Sequence, residues 1–143
     1  MNTLQHRIAD LKSATTPSKD DPEELFAVLD SLAAGSLDTP SKDRVPQNEV
    51  EGCQSQIWFT FETVGNLLKC TSWSDSLITR TIVSLLAKTL SGVPIDDLEA
   101  FDMTEFLEAC NLQDKLSMRR KNILMHIGLK LTLPSLKKGD SCA

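Results

Sequence analysis

Ile95-Asp96-Asp97-Leu98-Glu99-Ala100-Phe101-Asp102-Met103-Thr104-Glu105-Phe106-Leu107-Glu108 carries six acids and no base. The stretch after it reverses the sign: Lys115, Arg119, Arg120, Lys121 and Lys130 lie between 115 and 130 with no acid among them. Apolar residues thread both blocks at three- and four-residue steps, the spacing of one helix face. The charges therefore belong on the outside of packed helices. A surface that is acidic on one side and basic on the other suits docking to another protein.

Working outward, the same helical step runs back to Ile57. Residues 57–70 carry Phe61, Val64, Leu67 and Leu68 at that spacing. Ser74 or Ser76 can cap a longer helix that runs to Leu90, with Ile82, Val83, Leu85 and Leu86 inward and Gly92 as its stop. Asp96 opens a short helix through Leu98 and Phe101, and Thr104 begins another that closes near Asn111. Ser117 caps the last, in which Ile123, Leu124, Ile127 and Leu131 face inward until Pro134. The pattern predicts an all-α fold: a compact five-helix bundle over residues 54–136, with no strand, followed by a flexible C-terminus at 137–143.

Residues 1–53 differ in composition, being rich in Ser, Thr, Pro, Asp and Lys. Such a segment buries little apolar area against its ordering entropy and is expected to be a largely disordered tail. Two short helices interrupt it, at about 2–13 and 22–34. In the second, Asp21 is a cap, Pro22 suits the first position and Glu24 completes a capping box. Its stripe of Leu25, Phe26, Val28, Leu29 and Leu32 suits an interaction helix that folds into a partner's groove. Identical pentapeptides flank it, Thr16-Pro17-Ser18-Lys19-Asp20 and Thr39-Pro40-Ser41-Lys42-Asp43. Either Thr16, Ser18, Thr39 and Ser41 are phosphorylation sites, or the repeats are two Pro-containing turns that bracket the helix.

Residues 58–131 resemble a sterile alpha motif (SAM) domain. Ile95 to Phe101 looks like that family's Ile-Asp-Gly segment, and Met103-Thr104-Glu105-Phe106-Leu107 like its Leu-Thr-Glu-Asp-Leu stretch. Lys115 to Leu124 resembles the entry into its last helix, with Ser117-Met118 where Gly-His is usual. The resemblance implies an adaptor or scaffold that binds other copies head-to-tail. An acidic face of Asp96, Asp97, Glu99 and Asp102 would then meet a basic face of Lys115, Arg119, Arg120 and Lys121. The alternative is a small viral phosphoprotein-like replication or transcription cofactor that binds nucleoprotein or polymerase. Met1, Leu4 and Leu11-Lys12-Ser13 are loosely similar to the start of some of those proteins.

Composition narrows the classes. With 143 residues and 41% hydrophobic content, the chain can build one modest core. Fifteen bases against 20 acids leave a net charge of −5, which disfavours nucleic acid as a direct partner. No apolar run approaches the roughly 20 residues of a membrane span. Four cysteines (Cys53, Cys70, Cys110 and Cys142) have no Cys-x-x-Cys spacing, so free thiols in an intracellular, cytoplasmic or nuclear setting are expected. His6 and His126 lie in unlike segments, and no metal-ligand spacing or phosphate loop is present. The expectation is a protein-binding, non-enzymatic chain without cofactor, metal or small-molecule substrate.

Overall fold

Ile57-Trp58-Phe59-Thr60-Phe61 is a run of aromatic and β-branched residues, which pack well on a pleated surface. The computed structural model describes residues 2–50 and 56–131. There the run opens strand β1 (Ile57–Val64), paired antiparallel with β2 (Leu67–Ser74). Gly65, at φ 62°, takes the first central position of the two-residue turn between them. A type II′ hairpin turn needs positive φ there, and Gly supplies it without steric cost.

This hairpin overturns the all-α five-helix bundle. Phe61, Val64, Leu67 and Leu68 do fit a helical step, yet Val64 and Leu67 are exposed while Phe61 and Leu68 are buried. Along β2, Leu68, Cys70, Ser72 and Ser74 are buried, while Leu67 and Lys69 are exposed. That period of two is hidden in the sequence because three of the four inward residues are small or polar. The buried face rests on helix α3 (Leu77–Leu90), and two strands alone would be marginal in water.

Other segments cover the hairpin's edges. On the β2 side, Thr39 N–H donates to Ser72 O at 2.9 Å and Leu68 N–H donates to Val93 O at 3.0 Å. On the β1 side, Val50 N–H donates to Ile57 O at 2.7 Å. Covered edges leave fewer unpaired backbone groups to template another chain.

The remaining expected helices form. Ser76 Oγ accepts from Thr79 N–H at 3.5 Å as the cap of α3. Residues 95–100 are a 3-10 helix, followed by α4 (Met103–Ala109) and α5 (Met118–Leu131). Ser117 Oγ accepts from Arg120 N–H, and Ile123, Leu124, Ile127 and Leu131 are all buried.

The disordered tail is also corrected. Residues Thr3–Thr15 form α1 and Pro22–Ala33 form α2. Asn2 and Gln5 make a capping box on α1, whereas Asp21 accepts only the Glu24 N–H, half of the box expected on α2. Leu4, Ile8, Leu11, Leu25, Leu29 and Ala33 join the same core as Phe61, Leu86 and Phe106. Helix α2 packs on α3, and α1 packs on α4. Both helices are legible in the sequence, but the polar composition of the 53 residues gave no sign that their apolar stripes join the core. Burying one Leu is worth about 1.5–3 kcal/mol, and the stripes find their partners more than 40 residues downstream.

Polar contacts fasten the N-terminal helices. Arg7 Nη1 donates to Thr89 O at 2.9 Å and to Ser91 O at 2.5 Å, where α3 ends; a cation there suits the negative end of the helix. Asn111, at φ 57°, donates from Nδ2 to Thr15 Oγ1, which donates to Ala109 O at 2.7 Å.

Leu29→Ala should lower the unfolding free energy by about 2–5 kcal/mol in urea titrations, as truncation of a packed core leucine does. A helix lying outside the core would show almost no change.

Candidate functional site

Of the chain's four thiols, the described residues hold two, Cys70 and Cys110. Cys70 lies on the inward face of β2 and is fully buried. Desolvation drives its pKa far above the ordinary thiol range, although the Ser91 hydroxyl beside it pulls slightly the other way. Cys110, at the C-terminal end of α4, is also fully buried, and desolvation pushes it up to about 12. Both stay protonated near neutral pH, and a thiol rather than a thiolate is a poor nucleophile. Cys53 and Cys142 lie outside the described residues.

Backbone hydrogen bonds hold the residues on either side of 51–55. Val50 is held by its bond to Ile57 O. Gln56 N–H donates to Asp75 Oδ1 at 2.9 Å, and Asp75 N–H donates back to Gln56 O at 3.3 Å. Val50 and Gln56 are thus fixed to the open end of the hairpin and to the residue before the Ser76 cap of α3.

Trp73 faces Trp58 across the strands and braces the same region. The Arg44 and Arg80 guanidiniums lie 3.8 Å and 3.9 Å from its ring centre. Two groups so close must occupy opposite faces, a double cation–π stack. Arg44 Nε donates to Thr39 O and Arg80 Nε to Ser74 O, while Trp58 Nε1 donates to Val45 O. The stack clamps the 39–45 segment, β2 and the first turn of α3 together.

Beside Ile57 is a small cleft whose walls include Thr79, Ile82, Arg120 and Ile123. Thr79 is buried, and its hydroxyl has no partner among the described residues. Through Ile82 and Arg120 the cleft adjoins a groove of about 470 Å³ lined by α2, α3, the 112–116 segment and Arg120. Of the expected basic face, Lys115 and Arg119 are exposed and Arg120 and Lys121 half-buried. Among the acidic residues, Asp96, Glu99 and Asp102 are exposed and Asp97 half-buried. Asp102 caps α4 by accepting from Thr104 N–H.

Other expected sites are placed differently. Leu25 and Leu29 face the core, whereas Phe26, Val28 and Leu32 are half-buried, so α2 is not a free interaction helix. Ser18 and Thr39 are buried, out of a kinase's reach in the folded chain, while Thr16 and Ser41 are exposed. The described residues contain no group of three or more His, Cys, Asp or Glu placed to hold a metal ion. None of their helices is long and apolar enough to cross a membrane. In the sequence Cys53 follows Gly52 and lies outside any apolar stripe, unlike Cys70 and Cys110.

Iodoacetamide should leave Cys70 and Cys110 unmodified in the native protein near pH 8 and label both after denaturation, as read by peptide mass spectrometry. The raised pKa of Cys110 also sets a sign. Its contribution to stability is complete below the unfolded thiol pKa, about 8.5, and is lost as pH rises toward 12. Replacing Cys110 with Ala should therefore flatten the alkaline fall in melting temperature.

Comparison with known proteins supplies the context. An uncharacterized SufE-like protein of Rhizobium etli is 30% identical over 107 residues, covering 72% of each chain. SufE-like protein 1, chloroplastic/mitochondrial, of Arabidopsis thaliana is 37% identical over 97 residues, which are 66% of this chain and 25% of that one. The solution structure of a hypothetical protein from Thermus thermophilus superposes with TM-score 0.67 over 90% of this chain and 94% of the other, at 21% identity, and supports the fold. These matches, with the strand pair, overturn the SAM resemblance, the generic adaptor and the viral nucleoprotein- or polymerase-binding cofactor. A family profile described as "SufE: Fe-S metabolism associated domain" spans residues 13–132, and the chain belongs to that family.

Proposed function

We propose that the chain accepts sulfur on Cys53 from the cysteine persulfide of a partner protein, a cysteine desulfurase, and carries it toward Fe–S cluster assembly. The observation that supports this most is the sorting of the thiols. The family match spans residues 13–132 and contains Cys53, Cys70 and Cys110 but not Cys142. Of those three, Cys70 and Cys110 are buried and held protonated. Cys53 remains as the thiol for exchange.

The chemistry is that of thiol–disulfide exchange. The Cys53 thiolate attacks the outer, sulfane sulfur of the donor persulfide. One S–S bond forms and one breaks, the donor cysteine leaves as thiolate, and the sulfane sulfur ends on Cys53 with no net oxidation. An exchange thiol must be accessible and partly ionised near neutral pH.

On this reading the chain is a carrier working with an enzyme, with no cofactor or free small-molecule substrate of its own. Its partner is a protein. A reducing intracellular compartment suits its unpaired Cys70 and Cys110.

Incubating the full chain with a cysteine desulfurase and free cysteine should add one sulfur atom to the Cys53 peptide, as read by mass spectrometry under non-reducing conditions. Cys53→Ser should abolish the gain without changing the thermal melt, and Cys142→Ser should leave it intact. Sulfur still accepted by Cys53→Ser would overturn the assignment.

A further inference from the structure

We infer that the outer face of α5 seats an amphipathic helix of another protein, one that carries acids beside its apolar stripe. This docking face goes beyond the carrier reading and does not depend on where Cys53 lies.

Helix α5 is apolar on two faces. Ile123, Leu124, Ile127 and Leu131 turn into the core, while Met118, Met125 and Leu129 are 72%, 41% and 65% exposed. With the exposed Asn122 they stand at steps of four, three and four residues, in one row along the helix. At 1.5 Å per residue the row spans about 16 Å, or three turns. Single exposed apolar residues are ordinary, but a row at this spacing is the seam by which helices pair, and an asparagine within it fixes the register. Methionine, unbranched and flexible, adapts to the side chains of whatever helix lies on it. Helix α4 braces the row from one side: Thr104 Oγ1 donates to Met125 Sδ at 3.9 Å, and Gly128 leaves room for Met103 and Phe101.

Charge identifies the occupant. Read as a heptad, Met118 and Met125 take d, and Asn122 and Leu129 take a. The flanking positions then hold Arg119 and His126 at e, with Lys121 and Gly128 at g. Residues 118–131 include no acid, and among the described residues neither Arg119 nor Lys121 pairs with a carboxylate. Asp114 precedes the helix, with Lys115 beside it to offset its charge. The acids of α4 lie on its other side, where Asp102, Glu105 and Glu108 line clefts against α1. The acid block at 96–99 comes toward α5 where the Phe101 ring lies beside Gly128, about two turns beyond Lys121. A helix with Glu or Asp at its own e and g positions is therefore steered to this face and held in one register.

A second copy of the chain fits less well. Pairing α5 with α5 sets bases against bases along the seam. The acidic helices α2 and α4 leave no large apolar side chain exposed with which to meet the row. The occupant is a foreign helix.

Fluorescence anisotropy with the full chain and two labelled peptides of about three heptads tests this. Both peptides carry Leu at a and d; one has Glu at e and g, the other Lys. The Glu-flanked peptide should bind, more weakly as salt is raised, and the Lys-flanked one should not. Met125→Glu with Leu129→Glu should weaken binding about tenfold or more, equivalent to roughly 1.4 kcal/mol. Arg119→Glu with Lys121→Glu should reverse the preference so that the Lys-flanked peptide binds, a result misfolding does not produce. Thermal melts check that each variant folds.

No binding of the Glu-flanked peptide, or binding that the Met125/Leu129 variant leaves unchanged, overturns the inference. So does equal binding of both peptides. A wild-type dimer in light scattering that becomes monomeric on Met125→Glu with Leu129→Glu assigns the face to a second copy and likewise overturns it. Sulfur transfer to Cys53 is read in a separate assay, and its failure there bears on the carrier reading alone.

Discussion

The packing of the β2 inner face on α3 is the contact on which the rest of the molecule depends. A two-stranded hairpin has no second layer of its own and needs a covering element to be stable. Helix α3 supplies it, with Val83, Leu86, Ala87 and Leu90 completely shielded from solvent. The small inward residues Cys70, Ser72 and Ser74 of β2 let a helix lie close to the sheet. With the hairpin fixed in this way, its open end holds Val50 through Ile57 O, and Asp75, just before the Ser76 cap of α3, grips Gln56.

Helices α1 and α2 complete that core rather than hang from it. Leu25 and Leu29 come against α3 from α2, while Leu4, Ile8 and Leu11 belong to the same core beside α4. Polar contacts then fix the docking: Arg7 on the carbonyls at the end of α3, Thr15 on the carbonyl of Ala109, and Lys88 Nζ on those of Leu32 and Ala34. Burial supplies the energy, and these bonds select one arrangement by satisfying backbone groups at helix ends. A thiol in this core becomes inert for the same reason a leucine is welcome there: both are removed from water.

The core takes Cys70 and Cys110 out of chemistry. Large apolar side chains are left exposed at the first turns of α3 and α5, and also beside the hairpin turn at Val64 and Leu67. The Arg44–Trp73–Arg80 stack ties the neighbouring segments so that these parts keep fixed positions relative to one another.

Much of this was legible one residue at a time. The sequence by itself determined the cap at Ser117, narrowed that of α3 to Ser74 or Ser76, and set the inward stripe of α5, the stop at Gly92, and the acid and base blocks at 96–108 and 115–130. These are properties of a single helix, written at three- and four-residue spacing with local caps. It also held the Gly65-Asn66 turn and the aromatic run before it, signals that a chance helical spacing of Phe61, Val64, Leu67 and Leu68 overrode. Tertiary structure alone decided the partners: that β2 could bury serines against α3, that α1 and α2 belong to the core, and which cysteines lose their acidity. Burial is set by residues distant in sequence, and a thiol's pKa follows its surroundings, which no local pattern states.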